Sequence, residues 1–267
     1  MLPRHNDRRR HHDHSRRQSE PEPRHHERVL LRVCGLAAVT ALFERDPGRV
    51  ERLFFEPGLR GVADGFCAIL ARARKPYREV EAAELARIAG TVLHGGIAAI
   101  TQPRPLAAFD RSQVRGWARD GKPILALDGI GNPHNLGAIV RTAAFFGVER
   151  VILAARPQQA LPSNASYRVA EGGFEHLTIY RASLPDALRD LGEAYCIIAA
   201  APGRGRDLAP VTKEKPPAIV LGNEETGLAP ATLARCHKIV TIPGSGNVQS
   251  LNVAAAAAIL IYALTRW

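Results

Sequence analysis

Six apolar runs of strand length recur between residues 124 and 267, and they restrict the fold more than any other feature of the chain. They are ILALDGI, RVILAA, LTIYR, CIIAA, AIVLG and KIVTIP. Helical patterns separate several of them, and uniformly apolar strands are typical of parallel sheets that are covered on both faces. We therefore predict an α/β domain with a mostly parallel sheet over residues 124–267. Ligands of such sheets bind beyond the carboxyl ends of the strands, so the loops there are candidate sites.

Residues 29–104 show a second alternation of helical and strand patterns. Helices are predicted in VCGLAAVTALFERDP, GVADGFCAILARARK and AAELARIAG, the last closed by Gly90. Strands are predicted in VERLFFE, YREVE and HGGIAAI. This alternation indicates a small mixed α/β unit. Residues 105–123, which contain prolines and several charges, are predicted to be a linker.

Residues 1–28 have no sizeable apolar side chain after Met1 and Leu2, so we predict a disordered arm. Six of the ten histidines lie there. A metal-binding tract is one interpretation, and a solvated basic arm that touches phosphates is the one we favour. No metal site is predicted.

The net charge favours a polyanionic partner. The chain carries +10 in total, of which residues 1–28 contribute +3 and the remainder +7, so the folded part is itself basic. Nucleic acid is the usual partner of such a surface. The four cysteines lie among apolar neighbours without zinc-ligand spacing, which favours buried thiols in a reducing cytoplasm. No secretory signal is predicted, and the longest apolar run, Val253 to Leu264, is too short to span a bilayer.

Three loops after the apolar runs carry unusual residues. They are GNPHNLGAIVRTAAFFG, NEETGL and GSGNVQSLN. Neither G-x-G-x-x-G nor G-x-x-x-x-G-K-[ST] occurs, which argues against a dinucleotide or P-loop site. The G-x-S-x-G and H-E-x-x-H motifs of hydrolases and metalloproteases are also absent.

Together, NPHNLGAIVRTAAFFGV, IVLGNEETGL and IPGSGNVQSLNVAAAAAIL resemble, in order and spacing, the three motifs of the SpoU (TrmH) family of RNA 2′-O-ribose methyltransferases, which belongs to the SPOUT class. The segment YRVAEGGFEHLTIY is similar to a subgroup described as tRNA/rRNA methyltransferases, and residues 29–104 resemble the family's small substrate-binding domain. The resemblance covers roughly residues 30 to 267.

The resemblance implies a carboxyl-terminal trefoil-knotted domain that holds S-adenosylmethionine. On the family's pattern, Leu221, Gly222, Ile242 and Leu251 contact this cofactor, largely through backbone groups. The absence of a Cβ at Gly222 suits a close approach of the adenine or ribose. Ser250 is a candidate N-cap for the last helix.

The resemblance also implies the catalytic residues Asn135, Arg141, Glu224, Ser250 and Asn252. A ribose hydroxyl is a poor nucleophile, so a base or a group that stabilises the alkoxide is needed. A guanidinium is normally always charged, so we expect Arg141 to bind phosphate and favour the alkoxide electrostatically rather than to accept a proton. Glu224 is expected to orient Asn135 or Arg141.

Further expectations concern partners and alternatives. The family implies a homodimer, acting in the cytoplasm on structured RNA, either tRNA or rRNA. His134 is the other conventional base in these motifs, although a loop hydrogen bond suits it better. Two alternatives stay open: an RNA-binding SPOUT protein without methyltransferase activity, and a SPOUT enzyme that methylates a base nitrogen.

Overall fold

The structure, a computed structural model, describes residues 30–201, 205–207 and 214–265. The predicted arm of residues 1–28 lies outside the described residues. A four-stranded sheet precedes an eight-stranded sheet along the chain. No helix in the described part of the chain is long and apolar enough to cross a membrane.

The strands and α-helices of the smaller unit are β1 (Leu31–Cys34), α1 (Leu36–Arg45), β2 (Val50–Phe55), α2 (Arg60–Arg72), β3 (Tyr77–Glu79), α3 (Ala82–Ala89) and β4 (Ile97–Thr101). The strand order is β1-β4-β2-β3. Strands β1 and β2 pair antiparallel with β4, whereas β3 pairs parallel with β2. The predicted small mixed α/β unit is therefore confirmed as a fold.

Two glycines mark helix boundaries in this unit, one before α1 and one at the end of α3. The sequence pattern runs one helix through VCGLAAVTALFERDP, whereas Val33 and Cys34 belong to β1. Gly35 separates β1 from α1 with a φ of 90°, which glycine adopts without steric cost. Gly90 ends α3 in the left-handed conformation, with a φ of 69°, as predicted.

The larger sheet confirms all six predicted strands and is parallel throughout. Its strands are β5 (Ala107–Ala108), β6 (Ile124–Asp128), β7 (Arg150–Ala154), β8 (Thr178–Ala182), β9 (Cys196–Ala200), β10 (Arg206–Asp207), β11 (Pro217–Gly222) and β12 (Lys238–Thr241). Their order is β10-β12-β9-β11-β6-β7-β8-β5. Every residue of β6 is buried, which explains why the central strands have uniformly apolar sequences.

The helices of this unit are α4 (Val114–Arg119), α5 (Pro133–Phe145), α6 (Asn164–Ala170), α7 (Leu184–Leu191), α8 (Pro230–Leu233) and α9 (Val253–Thr265). Helix α5 packs between α6 and α9. It buries the apolar stripe of Leu136, Ile139, Val140 and Ala143 that its sequence presents. The trefoil knot stays a prediction.

Residues 105–123, predicted as a linker, contain regular structure. Strand β5 pairs with β8 and extends the larger sheet to its edge. Helix α4 buries Val114 and Trp117, and the Trp117 ring lies 5.0 Å from the Tyr180 ring, centroid to centroid. The segment was predicted as a linker because its sequence contains prolines and charges and only a few apolar side chains that pack in the core.

The two units share one continuous hydrophobic core. Leu42 and Leu53 of the smaller unit belong to the same buried cluster as Leu136 and Leu153 of the larger one. A buried ion pair crosses the junction, with Nη2 of Arg49 2.5 Å from Oε2 of Glu175. Both side chains are almost inaccessible to solvent, so removing Arg49 would leave the Glu175 carboxylate as an uncompensated buried charge.

Candidate active site

A pocket of about 670 Å³ opens beyond the carboxyl ends of β9, β11 and β12. This is the edge where the sequence placed the candidate loops. The pocket walls consist of residues 200–201, 221–227, 240–246, 248–251, Val253 and Ala256. The predicted cofactor positions Leu221, Gly222, Ile242 and Leu251 all lie in these walls, as do Glu224 and Ser250.

The loop after β11 is a closed turn that its own hydrogen bonds hold. Asn223 and Gly227 exchange two backbone hydrogen bonds of 3.0 Å. The Asn223 Oδ1 accepts further hydrogen bonds of 2.9 Å from the backbone N–H groups of Glu225 and Thr226. Its Nδ2 donates to the Gly129 carbonyl at 2.7 Å, which joins this turn to the loop after β6.

Gly222 has a structural role that its sequence context did not suggest. A Cβ at this position would lie 2.5 Å from the carbonyl carbon of Gly227 and 2.6 Å from the Leu228 nitrogen. Both atoms are backbone and cannot rotate away. The missing side chain therefore gives space to the returning turn of the protein's own chain.

A polar chain joins the three motifs. The Asn135 Nδ2 donates to Oε1 of Glu224 at 2.7 Å, and the Asn252 Nδ2 donates to Oδ1 of Asn135 at 3.1 Å. Of the two roles expected for Glu224, the structure shows the contact with Asn135. The Asn135 amide is thus held at both ends, with its nitrogen toward the carboxylate.

Asn252, rather than Ser250, caps the last helix. Its Oδ1 accepts a hydrogen bond of 2.8 Å from the backbone N–H of Ala254, and α9 begins at Val253. The expectation that Ser250 caps the helix is therefore wrong, because the helix starts too far along the chain. Ser250 is an exposed residue of the pocket wall. The first motif has a comparable cap, in which Asn132 accepts from the His134 N–H at 2.8 Å.

Two buried side chains that sequence reasoning missed support the loops beside the pocket. Asp128 accepts from the Ala229 N–H at 2.9 Å and pairs with Arg156 at 3.1 Å. Gln159 accepts from the N–H groups of Gly129 and Ile130, at 2.9 and 3.1 Å. A charged residue at the end of the apolar run ILALD was a usable signal for Asp128, whereas nothing near Gln159 pointed to the loop.

Arg141 does not join the polar chain. It follows Asn135 by six residues on α5, which places it about 9 Å further along the axis and roughly 120° round the helix. Its side chain is 56% exposed, and its Nη1 lies 2.8 Å from Oε1 of Glu171. The structure therefore brings Asn135, Glu224 and Asn252 together and leaves Arg141 on a separate face.

The pocket suits a cationic ligand with an apolar body. Leu221, Val240, Ile242 and Leu251 supply apolar surface, and Glu224 and Glu225 supply carboxylates. Its described wall residues include no Lys or Arg, so a phosphate-rich ligand would find no countercharge there. The dimensions are those of a small-molecule site. A sulfonium with an attached nucleoside, which is the chemistry of S-adenosylmethionine, fits these walls.

Comparison with known proteins agrees with this geometry. Residues 122–262 match the model of the SpoU rRNA Methylase family, and residues 32–107 match that of the RNA 2'-O ribose methyltransferase substrate-binding domain. The chain is 33% identical to the 23S rRNA (guanosine-2'-O-)-methyltransferase RlmB of Acinetobacter baylyi, over 87% of this chain and 95% of that one.

Two further relatives were found. The uncharacterized tRNA/rRNA methyltransferase YfiF of Escherichia coli O157:H7 is 33% identical over 86% of this chain, and the match spans 66% of that protein. The AdoMet-bound rRNA methyltransferase from Sinorhizobium meliloti superposes with a TM-score of 0.72 at 25% identity, covering 88% of this chain and 86% of that one. The chain therefore belongs to the SpoU rRNA methylase family and is an S-adenosylmethionine-dependent RNA 2′-O-methyltransferase.

Proposed function

We propose that the chain methylates a ribose 2′-hydroxyl of tRNA or rRNA in the cytoplasm. The observation that supports this most is the pocket, whose described wall residues include no Lys or Arg and which lies directly beside the chain of Asn135, Glu224 and Asn252. This arrangement provides a site for a sulfonium next to a set of fixed polar groups. The names of the relatives, which are tRNA/rRNA or 23S rRNA methyltransferases, support the choice of substrate class.

On the cofactor side, Leu221, Gly222, Ile242 and Leu251 hold S-adenosylmethionine, which supplies an electrophilic methyl group when it is bound. Backbone groups of the loops can read an adenine edge without charged side chains. Glu224 faces the same space and favours a positive charge there. We further propose that the loops after β11 and β12 belong to a trefoil knot.

On the substrate side, Asn135 and Asn252 hold the ribose in a fixed orientation, and Ser250 contacts the backbone of the RNA from the pocket wall. Arg141 binds an adjacent phosphate and stabilises the negative charge that develops on the ribose oxygen as the hydroxyl gives its proton to solvent water. A guanidinium that stays charged serves this role without accepting the proton.

A homodimer would bring the face with Arg141 of one subunit to the pocket of the other. Phe145, on the same side of α5 as Arg141, is 82% exposed, and Ile259 of α9 is 39% exposed. Burial of these apolar side chains would favour association. In such a dimer, Arg141 of one subunit reaches the RNA beside the pocket of the other.

Product identification tests the proposed function. The protein is incubated with S-adenosylmethionine carrying a labelled methyl group and with total RNA from cells that lack this protein, and the RNA is then digested to nucleosides. We expect a 2′-O-methylated nucleoside. A methylated base would support methylation of a base nitrogen instead. Unmethylated RNA, together with measurable RNA binding, would support a binding protein without activity.

The role of Arg141 is tested separately. Arg141→Ala should abolish methyl transfer and leave the affinity for S-adenosylmethionine unchanged, because Arg141 lies outside the pocket walls. Arg141→Lys keeps the charge but loses the planar fork, so it should remain strongly impaired. Turnover of the Lys variant near that of the wild type would contradict this role.

A further inference from the structure

Glu171, which ends α6, has a backbone conformation that its side chain makes costly. Its φ and ψ are 43° and 49°, in the left-handed region. Glycine is the usual residue at such a helix end, and the next two residues of this chain are glycines. A residue held in this region despite its Cβ points to a use for the side chain.

The Glu171 carboxylate is paired with the guanidinium of Arg141. Oε1 of Glu171 lies 2.8 Å from Nη1, and the two side chains are 53% and 56% exposed. The structure shows this ion pair with Glu171 as the interaction that holds the guanidinium. Without it, a long side chain at the surface would sample many rotamers.

The backbone beneath Glu171 is fixed from two sides. A Cβ on Gly172 would lie 3.0 Å from the Ala41 Cβ of α1, and one on Gly173 would lie 3.1 Å from the Arg141 Cα. Two residues further on, Glu175 is buried against Arg49 of the smaller unit. The carboxylate of Glu171 is therefore held by a segment that packs directly on the helix turn bearing Arg141.

We propose that Glu171 is a positioning residue, which holds the Arg141 guanidinium in the orientation that methyl transfer requires. This inference rests on the proposed function, because it takes Arg141 as the group that meets the RNA phosphate. Two opposite effects follow. A preoriented cation raises turnover. The negative charge of Glu171 beside that cation weakens the binding of RNA phosphates, so its removal tightens RNA binding.

The test compares two variants that both remove the negative charge. Glu171→Gln keeps the side-chain shape and the strained left-handed backbone, whereas Glu171→Gly removes the side chain and relieves that strain. Total RNA from cells lacking this protein and labelled S-adenosylmethionine serve as substrates. Both variants should lose kcat by about tenfold, while the apparent KM for RNA falls about twofold. Glu171→Gly should nevertheless unfold at the wild-type temperature or above it, because glycine relieves the left-handed backbone.

Asp186→Asn is the matched control, since Asp186 and Arg189 form an ion pair of 2.9 Å with similar exposure on the distant helix α7. It should leave kcat and KM unchanged. A wild-type kcat in either Glu171 variant, or a raised KM, would overturn the inference. Arg141→Ala separates the two proposals. If this variant is inactive while both Glu171 variants keep kcat, only the positioning role fails, whereas an active Arg141→Ala refutes the role of Arg141 itself.

Discussion

The two loops that form opposite walls of the pocket differ in how they are held. Residues 223–229 close on themselves through Asn223 and are tied to the neighbouring loop through Glu224 and Asp128. Residues 243–251 are all exposed, and in the described part of the chain their one hydrogen bond joins the Asn247 N–H to Oγ of Ser245. Residues 223–229, the preorganised wall, are fixed before the cofactor binds. We expect residues 243–251, the open wall, to become ordered when it binds.

The largest effect is expected from Gly222→Ala in the preorganised wall. The new Cβ would meet the Gly227 backbone at 2.5 Å and displace the turn. We expect a stability loss of about 1–3 kcal/mol and an affinity for S-adenosylmethionine that is about 100-fold weaker, measured by thermal unfolding and calorimetry. Gly244→Ala in the open wall is the control, because no atom lies within 4 Å of its Cβ. Equal affinities of the two variants would contradict the difference between the walls.

Asn252 joins the open wall to α9, and substitutions there test its two hydrogen bonds. Asn252→Ala removes both the helix cap and the bond to Asn135, so it should cost about 1 kcal/mol of stability and lower kcat/KM by about 10–100-fold. Asn252→Asp keeps the cap acceptor but cannot donate to Asn135. It should retain stability and lose activity to the same extent. An active Asp variant would show that only capping matters.

Hydrogen exchange sharpens the comparison without any substitution. On addition of S-adenosylmethionine, backbone amides of residues 244–251 should exchange at least about tenfold more slowly, because among the described residues only that of Asn247 has an acceptor. Amides of Asn223, Glu225, Thr226 and Gly227 already have acceptors and should change by less than about twofold. Equal protection of both walls would mean that the second is also formed in advance.

The smallest effect is expected at Cys236, which lies behind the preorganised wall near Asp128. Burial, followed by the Asp128 charge, raises the pKa of this thiol to about 11. The reactive thiolate is therefore scarce at pH 8 and increases about tenfold per pH unit up to that pKa. Iodoacetamide labelling, followed by mass spectrometry of the Cys236 peptide, should show this rise and change by less than about twofold when the cofactor is added. A large change would mean that the cofactor moves the supposedly fixed wall.

Local patterns were sufficient to predict most of the fold. The six strands have uniformly apolar sequences because both faces of the sheet are buried, and the stripe on α5 has helical spacing. The loop positions follow from the strands, so the pocket edge was also predictable. Strand β5 and helix α4 were missed because their few apolar residues act only by packing on distant strands.

The interior of the site was less predictable because its contacts join residues that are far apart in the chain. Gln159 supports a loop that lies 29 and 30 residues before it, and nothing in its neighbourhood signals this. The cap at Asn252 and the reason for Gly222 depend on where the helix and the turn fall in three dimensions. The family motifs identified Asn135, Glu224 and Asn252 as candidates, and the structure adds which atoms meet.

The core shared by the two units has a consequence for how RNA is chosen. Because Arg49 and Glu175 are buried in one continuous interior, the smaller unit is not a hinged arm that adapts to each RNA. The separation between its surface and the pocket is therefore constant. An RNA that contacts both the smaller unit and the pocket must therefore present its two contact sites at that fixed distance.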